Sequence, residues 1–294
     1  LATSDRRTAA RAWASRSAGT LASNQSDYGR ARVLLQEALD IYEELGELVE
    51  IARTLNNFGL VEWAQMNIEL ARDYFTRALA NNRIVGEKWG IAASLSNLGM
   101  LEDTMDSRGY LQEAYSLFLE LGDKSSASTA LNNLGVTAHR EGNLEEAQRL
   151  WEDCVALYRE INNRQSLGLA LTNLAVVARD RGNYDEARKL NREGLALSQA
   201  IGDVRIIGQV LIRMGGMASM EENYEKSARL FGAAHRLMSE WKVVSPPSSK
   251  KDQDLYEGKA REELGEARYD EMWREGRRLS VEEAIEIGLT KGPD

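Results

Sequence analysis

The sequence predicts an all-α chain of antiparallel helix pairs closed by a small helical cap. Three observations predict it. Only 3 of the 294 residues are proline, against a usual share of about 5%. They are Pro246, Pro247 and Pro293, so no ring upstream of them removes a helical donor or clashes with a preceding turn. Leu55, Leu95, Leu131, Leu171 and Leu211 recur at intervals of 40, 36, 40 and 40 residues and open the strings LNNFG, LSNLG, LNNLG, LTNLA and LIRMG. A fixed period of this length marks a repeat architecture. Gly46, Gly86, Gly122, Asn162 and Gly202 keep the same intervals. Glycine and asparagine accept the left-handed backbone that ends a helix, so these residues read as C-terminal caps.

Between the markers the apolar residues recur every three to four positions, as a helix requires. Asp27, Asn67, Asn143, Asn183 and Asn223 sit at the other turn of their units and suit N-caps. The first pair, starting near Arg11, lacks the Leu–Asn opening but keeps Asp27-Tyr28 and Ala31. In the second, Leu55, Phe58 and Gly59 are followed by Ala71, Phe75 and Ala78. The third is four residues short, about one helical turn. Counted back from Gly122, its second helix keeps Ser107, Leu111 and Ala114, which puts the missing turn between Leu95 and Ser107; a loop at Asp106–Gly109 is the rival placement. In the fourth, Leu131, Leu134 and Gly135 are followed by the turn Glu141–Asn143 and by Ala147, Trp151 and Cys154. The fifth has Ala175 in place of the glycine and Asn191 at the large position; the sixth has Met214-Gly215, then Ser227, Phe231 and Ala234.

Six pairs thus fill residues 1–240, a linker covers 241–251, and a helical cap covers 252–294. The linker holds the paired prolines, serines and lysines of SPPSSKK, a break signal. Three short helices are predicted after it, near Asp252–Leu264, Glu266–Glu275 and Val281–Leu289. Ser280 and Glu283 form a capping box before the last.

These strings resemble the tetratricopeptide repeat in its 40-residue form. HEAT-like repeats share the length, but the Leu-Gly and Ala-x3-Phe arrangement favours the tetratricopeptide pattern. The resemblance implies a right-handed superhelical solenoid whose first helices line a concave groove. Cys154 shares the small position of Ala78, Ala114 and Ala234 and is expected to be a packing residue. The runs ARLFGAA (228–234) and MWREGRRLSVEEAI (272–285) resemble the carboxyl-terminal end of large bacterial regulators. Those join a nucleotide-hydrolysing module to a repeat sensor, often with a LuxR-type DNA-binding, cyclase or kinase domain. No GxxxxGK[ST] loop and no kinase or cyclase signature occurs here. The chain also lacks an initiator Met. It therefore reads as a piece of something longer, with upstream domains of the same polypeptide among its partners.

Composition narrows the function. The net charge of −9 argues against direct nucleic-acid binding, which needs many phosphate-neutralising cations. No window is long and apolar enough to span a membrane, and Leu1–Arg11 lacks a signal-peptide core. One cysteine fits a reducing cytoplasm. It also leaves, with two histidines, little material for a metal or catalytic centre, so no enzyme activity, cofactor or metal is expected. Recognition is the expected function. Asn57, Asn97, Asn133 and Asn173 share one position, two residues after each repeat leucine, and the sixth unit has Arg213 there. An amide offers a donor and an acceptor to an extended peptide backbone, a use the resemblance implies for this position. The other reading is that these asparagines only bond neighbouring first helices. Arg140, Arg179 and Arg213, with His139, are expected to converge on one end of the groove, and an exposed Asn133 and Asn173 near them. Such a basic end would favour an anionic partner, such as an acidic peptide, a carboxyl terminus or a phosphorylated ligand. Arginines paired with Asp180 and other acids on a solvated surface are the alternative. Trp63 is expected near the other end, as a stacking anchor or as core packing. A protein- or peptide-binding scaffold is the first function predicted, and a small-molecule inducer-binding domain the second.

Overall fold

The computed structural model describes residues 7–101, 106–241 and 247–291. They form fifteen α-helices and, among the described residues, no strand. The chain divides into two compact units, one up to Glu141 and one from Gly142.

The first unit contains α1 (Ala9–Asn24), α2 (Tyr28–Leu45), α3 (Leu48–Ala64), α4 (Ile68–Val85), α5 (Lys88–Met100), α6 (Ser107–Glu120) and α7 (Lys124–Arg140). α1 packs with α2, α3 with α4 and α5 with α6. Each first helix also touches the next, α1 on α3, α3 on α5 and α5 on α7, so the pairs stack. The caps follow the sequence reading. Gly46, Gly86 and Gly122 have φ of 71°, 75° and 72°, conformations that strain any residue with a Cβ. Asp27 accepts from the backbone N–H of Arg30. Asn67 stands at the N-terminus of α4, but its amide donates to Glu62 at 2.7 Å rather than capping the helix.

The Leu-Gly signature has a packing cause. A Cβ on Gly59 would overlap the Phe75 ring, and one on Gly99 would overlap Leu111. Glycine on the first helix therefore admits the large side chain of the second, and Ala71, Phe75 and Ala78 are all fully buried. The third pair loses its turn where α5 meets α6. α5 has 13 residues where α3 has 17, and α6 begins at Ser107 directly after Asp106. Ser107–Gly109 are helical, so the rival loop at Asp106–Gly109 is not present. The predicted gap between Leu95 and Ser107 includes residues 102–105, which lie outside the described residues.

The second unit contains α8 (Leu144–Glu160), α9 (Arg164–Asp180), α10 (Tyr184–Ile201), α11 (Val204–Met220), α12 (Tyr224–Glu240), α13 (Pro247–Leu264), α14 (Glu266–Gly276) and α15 (Val281–Leu289). Asn162 and Gly202 have φ of 53° and 69°. Asn143, Asn183 and Asn223 accept from backbone N–H groups three residues on. Trp151, Cys154, Phe231 and Ala234 fill the second-helix positions of the pattern and are buried. α13 begins at Pro247, five residues before its predicted start. Proline suits the first turn of a helix because the missing N–H has no intrahelical partner there. Of the predicted linker 241–251, residues 242–246 lie outside the described residues and residues 247–251 fall in α13. α13, α14 and α15 pack on α11 and α12, and Ser280 and Glu283 form the predicted capping box.

Candidate functional site

In the first unit the stacked first helices bring three of the predicted asparagines onto neighbouring elements. Asn57 on α3 donates through Nδ2 to Thr20 Oγ1 on α1 at 2.9 Å. Asn97 on α5 donates to Asn56 Oδ1 on α3 at 3.4 Å, and Asn56 donates to Ser94 Oγ on α5 at 3.1 Å. Asn133 on α7 accepts from Asn132 at 3.5 Å. All three are half-buried. Bonds between neighbouring first helices are therefore real at Asn57 and Asn97, and both amides still reach the surface.

One turn beyond each asparagine lies an apolar side chain. Leu60 and Val136 are 39% and 38% exposed, and Met100 is half-buried. Their signal was present in the sequence, three residues after Asn57, Asn133 and Asn97. Trp63, also half-buried, packs against the core of α4–α6, which favours the packing reading over a free stacking anchor. His139 is half-buried and Arg140 exposed in the last turn of α7. On α1 and α3 the cations are balanced: Arg16 and Arg53 bond Glu50 at 2.9 and 2.7 Å.

In the second unit the expected exposure fails. Asn173 on α9 is buried, at 5% exposure, and accepts from Arg213 Nη2 on α11 at 2.9 Å. Arg213 also donates to Thr172 Oγ1 at 3.2 Å. Arg179 is 6% exposed and pairs with Asp180 at 2.6 Å. Its guanidinium lies 5.9 Å from the centre of the Tyr256 ring on α13. Tyr256 also covers Gly216, where a Cβ would come 2.9 Å from the ring, and its backbone oxygen accepts from the Ser219 hydroxyl at 3.3 Å. α13 thus lies over the first-helix face at Arg179, Gly216 and Ser219. Arg213 thus lies on Asn173, while Arg179 bonds Asp180 and lies under Tyr256, and these side chains are engaged within the fold rather than forming an exposed basic end.

Amide donors and acceptors beside an apolar column can bond an extended backbone while burying its side chains. Among the described residues, no group of three or more His, Cys, Asp or Glu could hold a metal ion, and no helix is long and apolar enough to cross a membrane.

Stacked helix pairs with polar and apolar columns on their first helices define a helical-repeat protein. Tetratricopeptide-repeat family models match residues 8–45, 91–160 and 126–200, so the chain carries tetratricopeptide repeats. No curated protein matches the sequence. Among solved structures, the apo form of RapI is similar with a TM-score of 0.68 at 14% identity, covering 94% of this chain and 98% of its own. Aspartyl phosphate phosphatase F from Bacillus subtilis is similar with a TM-score of 0.66 at 17% identity, over 92% of this chain and 71% of its own. The Rap conjugation gene regulator of the plasmid pLS20, solved with the Phr* peptide, is similar with a TM-score of 0.61 at 13% identity, over 85% of this chain and 74% of its own. At these identities the likeness is one of fold.

Proposed function

We propose that this chain is a non-catalytic, cytoplasmic protein- or peptide-binding scaffold, the sensor or interaction region of a bacterial signalling or transcriptional regulator. Its partners are then a peptide or protein and the upstream domains of the same polypeptide, with the nucleotide-hydrolysing or LuxR-type parts lying there. The observation that carries the binding reading is the pair of columns on the first unit: Asn57, Asn97 and Asn133 beside Leu60, Met100 and Val136. That one structural neighbour was solved with a peptide supports the reading. A preference for acidic partners rests on Arg140, which is exposed, whereas Arg179 is buried and Arg213 points onto Asn173. The small-molecule alternative calls for an enclosed apolar pocket. The clefts at Arg7–Ile41 and at Gln165–Trp241 lie at the surface among charged side chains, which does not favour it.

The test is a random-peptide display selection on the intact chain, followed by titration of the selected peptides. Asn97→Ala with Leu60→Asp is expected to weaken them at least ~10-fold, the loss of one or two hydrogen bonds and an apolar contact. Arg140→Ala is expected to weaken acidic peptides selectively and to flatten their salt dependence. Peptides bound equally by wild type and the double variant would sink the groove assignment.

A further inference from the structure

The repeat register shows how each first helix uses the side turned towards the pair before it. Thr54 on α3, Ser94 on α5, Ala130 on α7 and Val210 on α11 share one register position, and each has 0% exposure. Ser94 shows why. Its hydroxyl oxygen accepts from Asn56 of α3 at 3.1 Å and from Asn82 of α4 at 3.3 Å, so the preceding pair closes over it. Four residues further on, Phe58, Leu98, Leu134 and Met214 are at most 5% exposed, and Leu174 of α9 is half-buried. Seven residues further on, Val61, Leu101, Thr137 and Met217 are at most 4% exposed.

On α1 the same three positions are Ala14, Ala18 and Leu21. Ala14 and Ala18 are exposed, and Leu21 is 58% exposed. With the exposed Ala10 and Ser17 they form an uncharged helix face in a chain of which 28% is charged. A repeat that ends a stack needs a polar outer face to stay soluble. This face has the apolar character of the internal ones instead.

We infer that this face of α1 is an internal packing face, and that it takes a further helix pair of the same repeat type, carried ahead of α1 in the polypeptide. The interface already formed between successive pairs would continue across α1 without a break. The chemistry of the occupant follows from size. Where α3, α5 and α7 have Phe58, Leu98 and Leu134, α1 has only Ala18, so close packing requires bulky apolar side chains from the incoming pair. A second copy applied through the same face would bring small side chains and a single leucine, Leu21, against their own kind, and would supply no bulky side chain opposite Ala18. The inference is independent of the peptide reading, because it uses none of the residues of the asparagine column.

The test is Ala18→Cys, made in residues 1–294 and in the full translated chain, with maleimide labelling as the readout. The native Cys154 is buried and gives little background. In residues 1–294 the new thiol is expected to react at the rate of an exposed one. In the full translated chain it is expected to react at least ~100-fold more slowly, because the face must open locally first. Ala14→Glu is expected to lower the melting temperature of the full chain by several degrees while leaving residues 1–294 within about 2 °C, since only the full chain buries the carboxylate. Fast labelling in the full chain overturns the inference, as does a full chain with no helix pair ahead of α1. Protection in residues 1–294 that grows with protein concentration also overturns it, because a second copy would then hold the face.

Discussion

Cys154 occupies the position of Ala78, Ala114 and Ala234, and all four are fully buried. Burial pushes its thiol up to about 12, because a thiolate there would lose its water. Ellman's reagent at pH 8 is therefore expected to leave the native chain unmodified and to react only as guanidinium unfolds it. Rapid stoichiometric reaction of the native chain would contradict the packing role. Such a residue is legible in a sequence because a repeat supplies its own comparison: three alanines at the same register state what the position tolerates. Arg179 was not legible in the same way. Its position on the first-helix face follows from the register, but its burial comes from Tyr256, 77 residues away on a helix outside the repeat. Asn173 is hidden for a related reason, since Arg213 takes the column's position in the sixth unit and turns back onto the asparagine of the fifth. A substitution inside a periodic column changes what the column's neighbours do, and the pattern alone gives no sign of it.

At the scale of the element, most helix ends were read well because the cap has a local cause, a left-handed glycine or asparagine or a side-chain acceptor within three residues; Asn67, whose amide bonds Glu62 instead, is the exception. Helix lengths were read less well where the repeat is interrupted, at the short α5 and at the early start of α13. Of the links between elements, asparagine bonds between first helices were among the readings, but the ion pairs between helices were not read. The clearest joins α2 to α3, where Arg32 Nε and Nη2 bond the two oxygens of Glu62 at 2.7 and 2.8 Å. Glu62 is 2% exposed, whereas the Arg32 side chain keeps 40% of its surface in water. The guanidinium holds the Glu62 carboxyl below its ordinary value of 4.5, helped by the Asn67 amide and opposed by desolvation. A carboxylate with a depressed folded-state pKa stabilises the fold above its unfolded value, and this contribution disappears as pH falls through the folded one. Stability from urea melts is therefore expected to fall as pH drops below about 4.5. Glu62→Gln should flatten part of that fall and cost roughly 1–3 kcal/mol at pH 7, the lower range for a pair with one partner in water. A variant whose acid profile overlays that of wild type would show that the pair contributes nothing.

For the molecule as a whole, stability in a repeat chain is a sum of pairs and of the faces between them, so an uncovered face costs more than its own residues. The second unit spends three helices on covering one. α14 crosses α12 so closely that a Cβ on Gly232 would strike the Trp273 carbonyl and one on Gly276 the Arg229 carbonyl. Ala284 and Ile285 of α15 enter the same buried cluster as Met214, Leu230, Phe231 and Leu237. Lys226, 3% exposed, donates to the backbone and side-chain oxygens of Thr290 at 2.8 and 3.0 Å, neutralising the carboxyl end of α15. Arg236 donates to the Leu279 carbonyl at 2.8 Å. Ending the chain at Trp241 would put the outer side of α12 and part of α11 into water. Such a chain is expected to aggregate, or to melt at least ~5–10 °C lower, the shift that several kcal/mol produces in a chain of this size. Truncation alone could act through the new chain end, so Gly232→Ala in the intact chain provides the second measurement. Its methyl would wedge α14 away from α12 and should lower the melting temperature in the same direction by a smaller amount. A truncated chain that stays monomeric and melts with wild type, beside a neutral Gly232→Ala, would mean that the last three helices are an appendage and that α12 is stable with its outer face bare.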